Sequence, residues 1–248
     1  MPDIQAVTLD LWQTLIIDRQ ELGRQRMRYR IQGALQALEA AGELFTEEQV
    51  TDAYRACYRA CKAVREKERD VSFTEQVGMF VRGIDDGLPE RIGQEAFARI
   101  EDSYADSFYE SPARMADGVP EMLAKLKERG YRLGLISNTG MTPGRVFRAY
   151  LESLGIIGYF DQLTFSDEVL LSKPSLAIFL LTLKGLGYPA HQAVHVGDHL
   201  RLDIRGGQRA GMRTVWVQGF DKEKTDIVAE VTIQRIAELP QALDSLAS

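Results

Sequence analysis

Val7-Thr8-Leu9-Asp10-Leu11-Trp12-Gln13-Thr14-Leu15 is the stretch on which the reading of this chain turns. Its β-branched and apolar opening is the composition of a buried strand. Asp10 falls where that strand should end, and polar Gln13 and Thr14 precede the apolar Leu15-Ile16-Ile17. An aspartate at a strand end is most often a turn former or a helix cap. Three later strand ends give Asp10 a different meaning.

Downstream of Ile17 the pattern turns helical and shows no strand signal. Met27, Ile31, Leu35 and Leu38 recur at helical spacing between Glu21 and Ala41, and Gly42 can close that helix. Thr46-Glu47-Glu48-Gln49 is a capping box for a helix running toward Arg69, and Ser72-Phe73-Thr74-Glu75 is a second box. A fourth helix follows Pro89. Residues 18–110 are thus expected to form an all-helical insert, and residues 1–17 and 111–248 an α/β core.

From Asp117 onward, strands and helices alternate. Helices are expected from Gly118 to Gly130, from a Thr142-Pro143 cap to Gly155, from Leu176 to Leu186, and through Asp203 to Gly211. Strands are expected at Arg132–Ile136, Phe160–Phe165, Ala193–Val196 and Thr214–Val217, the last read as the final core strand. This alternation is the signature of a parallel sheet covered on both faces.

In such a sheet, ligands bind beyond the carboxyl ends of the strands. Asp10 lies there, with Ser137 and Asn138 after the second strand, Lys173 after the third, and Asp198 and Asp203 after the fourth. Carboxylates this close are tolerable around a hard cation such as Mg²⁺, which prefers oxygen ligands. Mg²⁺, Lys173 and the Ser137 hydroxyl together make a site for a phosphoryl group.

Composition narrows the partners. Of 248 residues, 45% are hydrophobic and 27% charged, ordinary values for a globular chain. A net charge of -6 argues against nucleic-acid binding. No apolar run approaches the ~20 residues needed to span a bilayer, so no membrane partner is expected. The N-terminus has no basic and apolar leader pattern, so no secretory signal is expected. Cys57 and Cys61 lack further ligand residues nearby and read as free thiols, which fits a cytoplasmic location. His191, His195 and His199 do not share one face and are rejected as a metal triad. Either a monomer or a homodimer is compatible with this composition.

The set Asp10-Leu11-Trp12-Gln13-Thr14, Ser137-Asn138-Thr139, Lys173-Pro174 and Gly197-Asp198 with Asp203 resembles the four motifs of the haloacid dehalogenase superfamily. The resemblance implies a Rossmann-like parallel sheet with a helical cap inserted after the first strand. It implies hydrolysis of a small phosphorylated substrate, with Asp10 attacking phosphorus to form an aspartyl-phosphate that water then hydrolyses. By the same resemblance, Mg²⁺ would be held by Asp10, the Trp12 carbonyl and Asp198, with Asp203 supporting the metal shell or Lys173. Thr14, Ser137, Asn138 and Lys173 would hold the phosphate, Ser137 and Lys173 also serving catalysis.

Trp12 departs from the motif. Phosphatases of the superfamily carry there a second aspartate that protonates the leaving oxygen, and indole cannot replace it. Losing a general acid costs ~10²–10⁴ in rate. Three readings follow. Phosphoryl transfer is restricted to good leaving groups such as acyl or aryl phosphates, or recruits Gln13 or Asp18 as a substitute; the chain is a 2-haloacid dehalogenase, a class with an aromatic residue at this position and no metal; or it is a binding or regulatory protein. Arg24, Arg26, Arg28 and Arg30 crowd the first insert helix and read as a solvated face, with the alternative that one or two reach an anionic substrate tail.

Overall fold

A computed structural model describes residues 4–221 and 225–247. In chain order its elements are β1 (Ala6–Leu9), β2 (Ile16–Ile17), α1 (Gln20–Ala40), α2 (Glu47–Arg65), α3 (Phe73–Ile84), α4 (Leu88–Glu110), β3 (Arg114–Met115), α5 (Val119–Glu128), β4 (Arg132–Ser137), α6 (Gly144–Ser153), β5 (Gln162–Phe165), α7 (Ser166–Val169), α8 (Leu176–Leu186), β6 (Ala193–Gly197), α9 (Gly206–Arg209), β7 (Arg213–Val217), β8 (Val231–Ile233) and α10 (Leu239–Ala247). A π-helical stretch, Leu200–Arg205, leads into α9.

Six of the described strands form one sheet in the order β5-β4-β1-β6-β7-β8, with every neighbouring pair parallel. β1, the first strand of the chain, is therefore central, and the Asp10 amide extends its ladder by donating to the Val196 carbonyl at 2.9 Å. Side chains alternate between the two faces, as the strand period requires. Val7, Leu9, Val194 and Val196 join Leu123, Phe147 and Leu243 in one apolar core. Ala6, Ile136 and Ala193 pack against Ile178, Phe179 and Leu183 of α8 on the other face. Thr8, Asp10 and His195 share the parity of Ala6 and Ala193, which sends them to the α8 side.

Between β2 and β3 the chain builds four helices around a separate apolar cluster that includes Leu38, Tyr54, Phe80 and Tyr104. The capping box expected at Thr46 forms in both directions. At Ser72 only half of the expected box forms: the hydroxyl accepts from the Glu75 amide, while the Glu75 carboxylate takes Arg82 at 2.8 Å. The α2–α3 turn reaches the sheet rim, where Ser166 donates to the Asp70 carboxylate and Arg65 lies 2.9 Å from it. Cys57 and Cys61 are buried free thiols.

Three expectations need correction. β2 and β3 form a two-stranded antiparallel pair where no strand signal was read; two residues are too few for a period, and Ile16 pairs with distant Met115. β7 is not the last strand, because the short β8 pairs in parallel beyond it. Thr142 does not cap α6: its hydroxyl accepts from Arg30 at 2.9 Å, and Asp167 takes the Gly144 amide instead. Among the described residues no helix is long and apolar enough to cross a membrane.

Candidate active site

Asp10, Asp198 and Asp203 converge at the carboxyl ends of β1 and β6, each offering a carboxylate oxygen within 4.8 Å of the others. Lys173 lies among them, with Nζ donating to Asp10 Oδ1 at 2.5 Å and to Asp203 Oδ1 at 2.6 Å. Thr14 donates to the other Asp10 oxygen at 3.2 Å. Gly197 makes room for this arrangement, because a Cβ there would sit 2.3 Å from the Asp203 carboxyl carbon.

Asn138 fastens Lys173 rather than facing it. Its Oδ1 accepts from the Lys173 amide at 2.8 Å and its Nδ2 donates to the Lys173 carbonyl at 3.1 Å. The carboxamide expected to hold phosphate is thus largely engaged with backbone. Ser137 differs: its hydroxyl is buried at the end of β4 with no hydrogen-bond partner among the described residues. A buried polar atom left unpaired is costly, and a ligand oxygen would relieve it.

Behind these groups runs a buried chain that includes His195, which the sequence reading considered only as part of a rejected metal triad. His195 Nε2 lies 3.1 Å from Asp203 Oδ1, and His195 Nδ1 lies 2.8 Å from the Thr8 hydroxyl. The His199 amide donates to Asp203 Oδ2 at 3.0 Å, so His199 touches the site through its backbone. Trp216, read only as core, donates from Nε1 to the Asp198 carbonyl at 2.7 Å. A histidine in the strand that leads to Asp198 carried a usable signal, since a buried imidazole needs partners.

The electrostatics follow from burial and from Lys173. Burial raises Asp10 to about 6, against the pull of the Lys173 charge. Burial, then repulsion from Asp10 and Asp203, raises Asp198 to about 8. Burial also pushes on Asp203, but Lys173 and His195 overcome it and hold that carboxyl well below the usual range. Lys173 is buried too, yet its two carboxylates keep it above an ordinary lysine. Burial lowers His195, which favours the neutral imidazole.

Trp12 packs edge-on against Phe147, at 5.2 Å between ring centroids, and against Phe108 at 6.2 Å, with the Arg26 guanidinium 5.7 Å from its own ring. Neither substitute acid–base candidate stands free. Gln13, held at φ 57°, bonds the Asp18 backbone through both ends of its amide. Asp18 pairs with Arg26 through Oδ2. The arginine row also departs from expectation. Arg26 and Arg30 are buried rather than solvated, because carbonyls, hydroxyls and rings from distant segments receive them.

A family model described as haloacid dehalogenase-like hydrolase matches residues 50–217, which take in Ser137, Lys173, Asp198 and Asp203. The chain is 30% identical over 172 residues to a glyceraldehyde 3-phosphate phosphatase from Methanopyrus kandleri, covering 65% of this chain and 72% of that one. It is 29% identical over 219 residues to a ribulose-1,5-bisphosphate 5-phosphatase from Halopiger xanaduensis, covering 84% and 89%. Its fold is similar to that of a 2-haloacid dehalogenase from Pseudomonas syringae pv. Tomato, with a TM-score of 0.71, 21% identity and coverage of 98% and 99%. A phosphatase structure from Thermococcus onnurineus gives a TM-score of 0.62 at 21% identity, covering 97% and 98%. With the family model spanning more than half of the sequence, and the strand-end groups gathered on one rim, this chain belongs to the haloacid dehalogenase-like hydrolases.

Proposed function

We propose that this chain is a Mg²⁺-dependent phosphohydrolase acting on a small phosphorylated metabolite with a good leaving group, and that residues 18–110 serve as its helical cap. The observation that carries this reading is the carboxylate cluster. Asp10, Asp198 and Asp203 with Lys173 leave two negative charges uncompensated when all three are ionised, a deficit that one divalent cation balances. Their oxygens are hard donors of the kind Mg²⁺ takes. The ion would be held by Asp10, Asp198 and the Trp12 carbonyl, with Asp203 supporting Lys173. When bound it would neutralise charge on the phosphoryl oxygens.

Asp10 supplies the nucleophile. An oxygen of its carboxylate forms a bond to phosphorus as the bond to the ester oxygen breaks, and the leaving group departs with the electron pair. Water then attacks phosphorus and the bond to the Asp10 oxygen breaks, which returns the carboxylate and releases inorganic phosphate. Lys173 balances the charge of nucleophile and phosphate, and the Ser137 hydroxyl donates to a phosphoryl oxygen. Trp12 provides no proton for the leaving oxygen, so acyl and aryl phosphates should outrun alkyl ones. The phosphatase names of the relatives support the same chemistry.

One observation favours a second reading, 2-haloacid hydrolysis: the apolar Trp12 ring lines the cavity beside the site. It ranks below the first because bare Asp198 is expensive beside Asp10 when no cation is used. Release of phosphate from aryl and acyl phosphates, and of halide from 2-haloacids, each with and without Mg²⁺, separates them. Mg²⁺-dependent phosphate release is expected; metal-independent halide release alone would overturn the proposal.

A further inference from the structure

We infer that the cavity beside Trp12 reads a second anionic group on the substrate, so that the substrate is a phosphate ester carrying another carboxylate or phosphate. This rests on the phosphohydrolase reading for which end reacts, and on the cavity alone for the other end. The cavity measures about 680 Å³, within the range of small-molecule pockets, and is bounded by α1, α2 and the loop after β4. Trp12 and Asn138, sequence neighbours of the groups around Asp10 and Ser137, form the part of its wall next to the reacting centre.

The decisive group is Arg30. It lines the cavity and is 3% exposed. Its guanidinium donates to the Tyr104 carbonyl at 3.2 Å, the Tyr54 hydroxyl at 3.0 Å and the Thr142 hydroxyl at 2.9 Å. All three partners are neutral, and no carboxylate among the described residues lies within ion-pair distance of it. A buried charge without a counter-charge is strongly disfavoured unless a ligand supplies one. Two of its five N–H groups have no acceptor in this set of bonds. Arg26, which also lines the cavity, is by contrast neutralised by Asp18.

Two further observations define the ligand. Arg59 lies on the cavity wall, exposed, with no ion pair among the described residues. Beside it Arg55 holds only a solvent-exposed pair with Asp52, an interaction weak enough to exchange for a ligand. Asp18 also borders the cavity, but its carboxylate is committed to Arg26. Together these arginines call for an anion in the cavity.

The test is direct binding, which does not depend on turnover. Calorimetry with Mg²⁺ present would compare 3-phosphoglycerate, glycerol 1,3-bisphosphate and glycerol 3-phosphate, ligands of similar length whose far end is a carboxylate, a phosphate or a neutral hydroxyl. A charge-assisted contact predicts at least about tenfold tighter binding of one or both doubly anionic ligands, and the tighter of the two assigns the source of the anion. Arg59→Ala, and Arg30→Gln if it folds, should reduce that preference severalfold, while Arg28→Ala, on the same helix as Arg30 but off the cavity, should keep it. No preference in the native protein, or a preference untouched by the Arg59 and Arg30 variants that fold, would overturn the inference. Turnover of an aryl phosphate without the preference would remove this subsite and leave the reaction; the preference without any phosphate release would do the reverse.

Discussion

Mg²⁺ binding should be strongly pH-dependent near neutrality, because the metal must displace protons that burial has placed on two of its proposed ligands. Asp198 sits at about 8 and Asp10 at about 6. At pH 7 these values make Asp198 about 90% protonated and Asp10 about 10%, so binding should release about one proton. From about pH 6.5 to about pH 7.5 the ionised fraction of Asp198 rises about eightfold and that of Asp10 about 1.3-fold, and the apparent affinity should tighten about tenfold. The corresponding stability change has a definite sign. Both carboxyls lie above their unfolded values, so the metal-free folded state holds protons that the unfolded chain has lost. Their contribution is present at low pH and is lost as pH rises through about 6 and then about 8. Calorimetric titration of Mg²⁺ in buffers of different ionisation enthalpy counts the released protons, and thermal melts with and without Mg²⁺ follow the stability. An affinity that changes less than about twofold over that interval, with no proton release, would refute the charge argument for the cluster.

Two substitutions test the geometry. Trp12→Asp should raise turnover of alkyl phosphates by about 10² by restoring a proton donor, at a cost in stability from the lost contacts with Phe108 and Phe147. Phosphate release by a variant shown to be folded by circular dichroism is the assay, and no gain there would count against the phosphoryl reading. Gly197→Ala should drive a methyl group into the Asp203 carboxyl, displacing Asp203 from Lys173. A loss of at least about 10² in kcat, with KM changed far less, is expected from steady-state kinetics.

Much of the site was legible because its parts stand at strand ends, where an alternating sheet forces them together. Asp10, Ser137 and Asp198 stand at the ends of short apolar runs that the parallel order β4-β1-β6 makes neighbours, while Lys173 and Asp203 come from the segments after β5 and β6. Local chemistry also declared itself where it is local, as at Thr46 and Gln49. What escaped was non-local. The arginines of α1 read as solvated because a buried guanidinium is rare, and the groups that receive Arg30 lie up to 112 residues away. Thr142 was assigned to the nearest helix start, while Asp167, 23 residues further on from Gly144, took that role. β8 and the β2–β3 pair are too short to show a period.

The alternation of the central strands has a consequence for what each half of the sheet can tolerate. Thr8, His195 and the Asp203–Lys173 network gather beneath α8, whereas Val7, Val194 and Val196 look into the core shared with α5, α6 and α10. None of the charged members of the network borrows its support from that second core. Packing and the buried charge network thus fall on opposite sides of one strand layer, with Trp12, which packs on Phe108 and Phe147, the link between that core and the cavity.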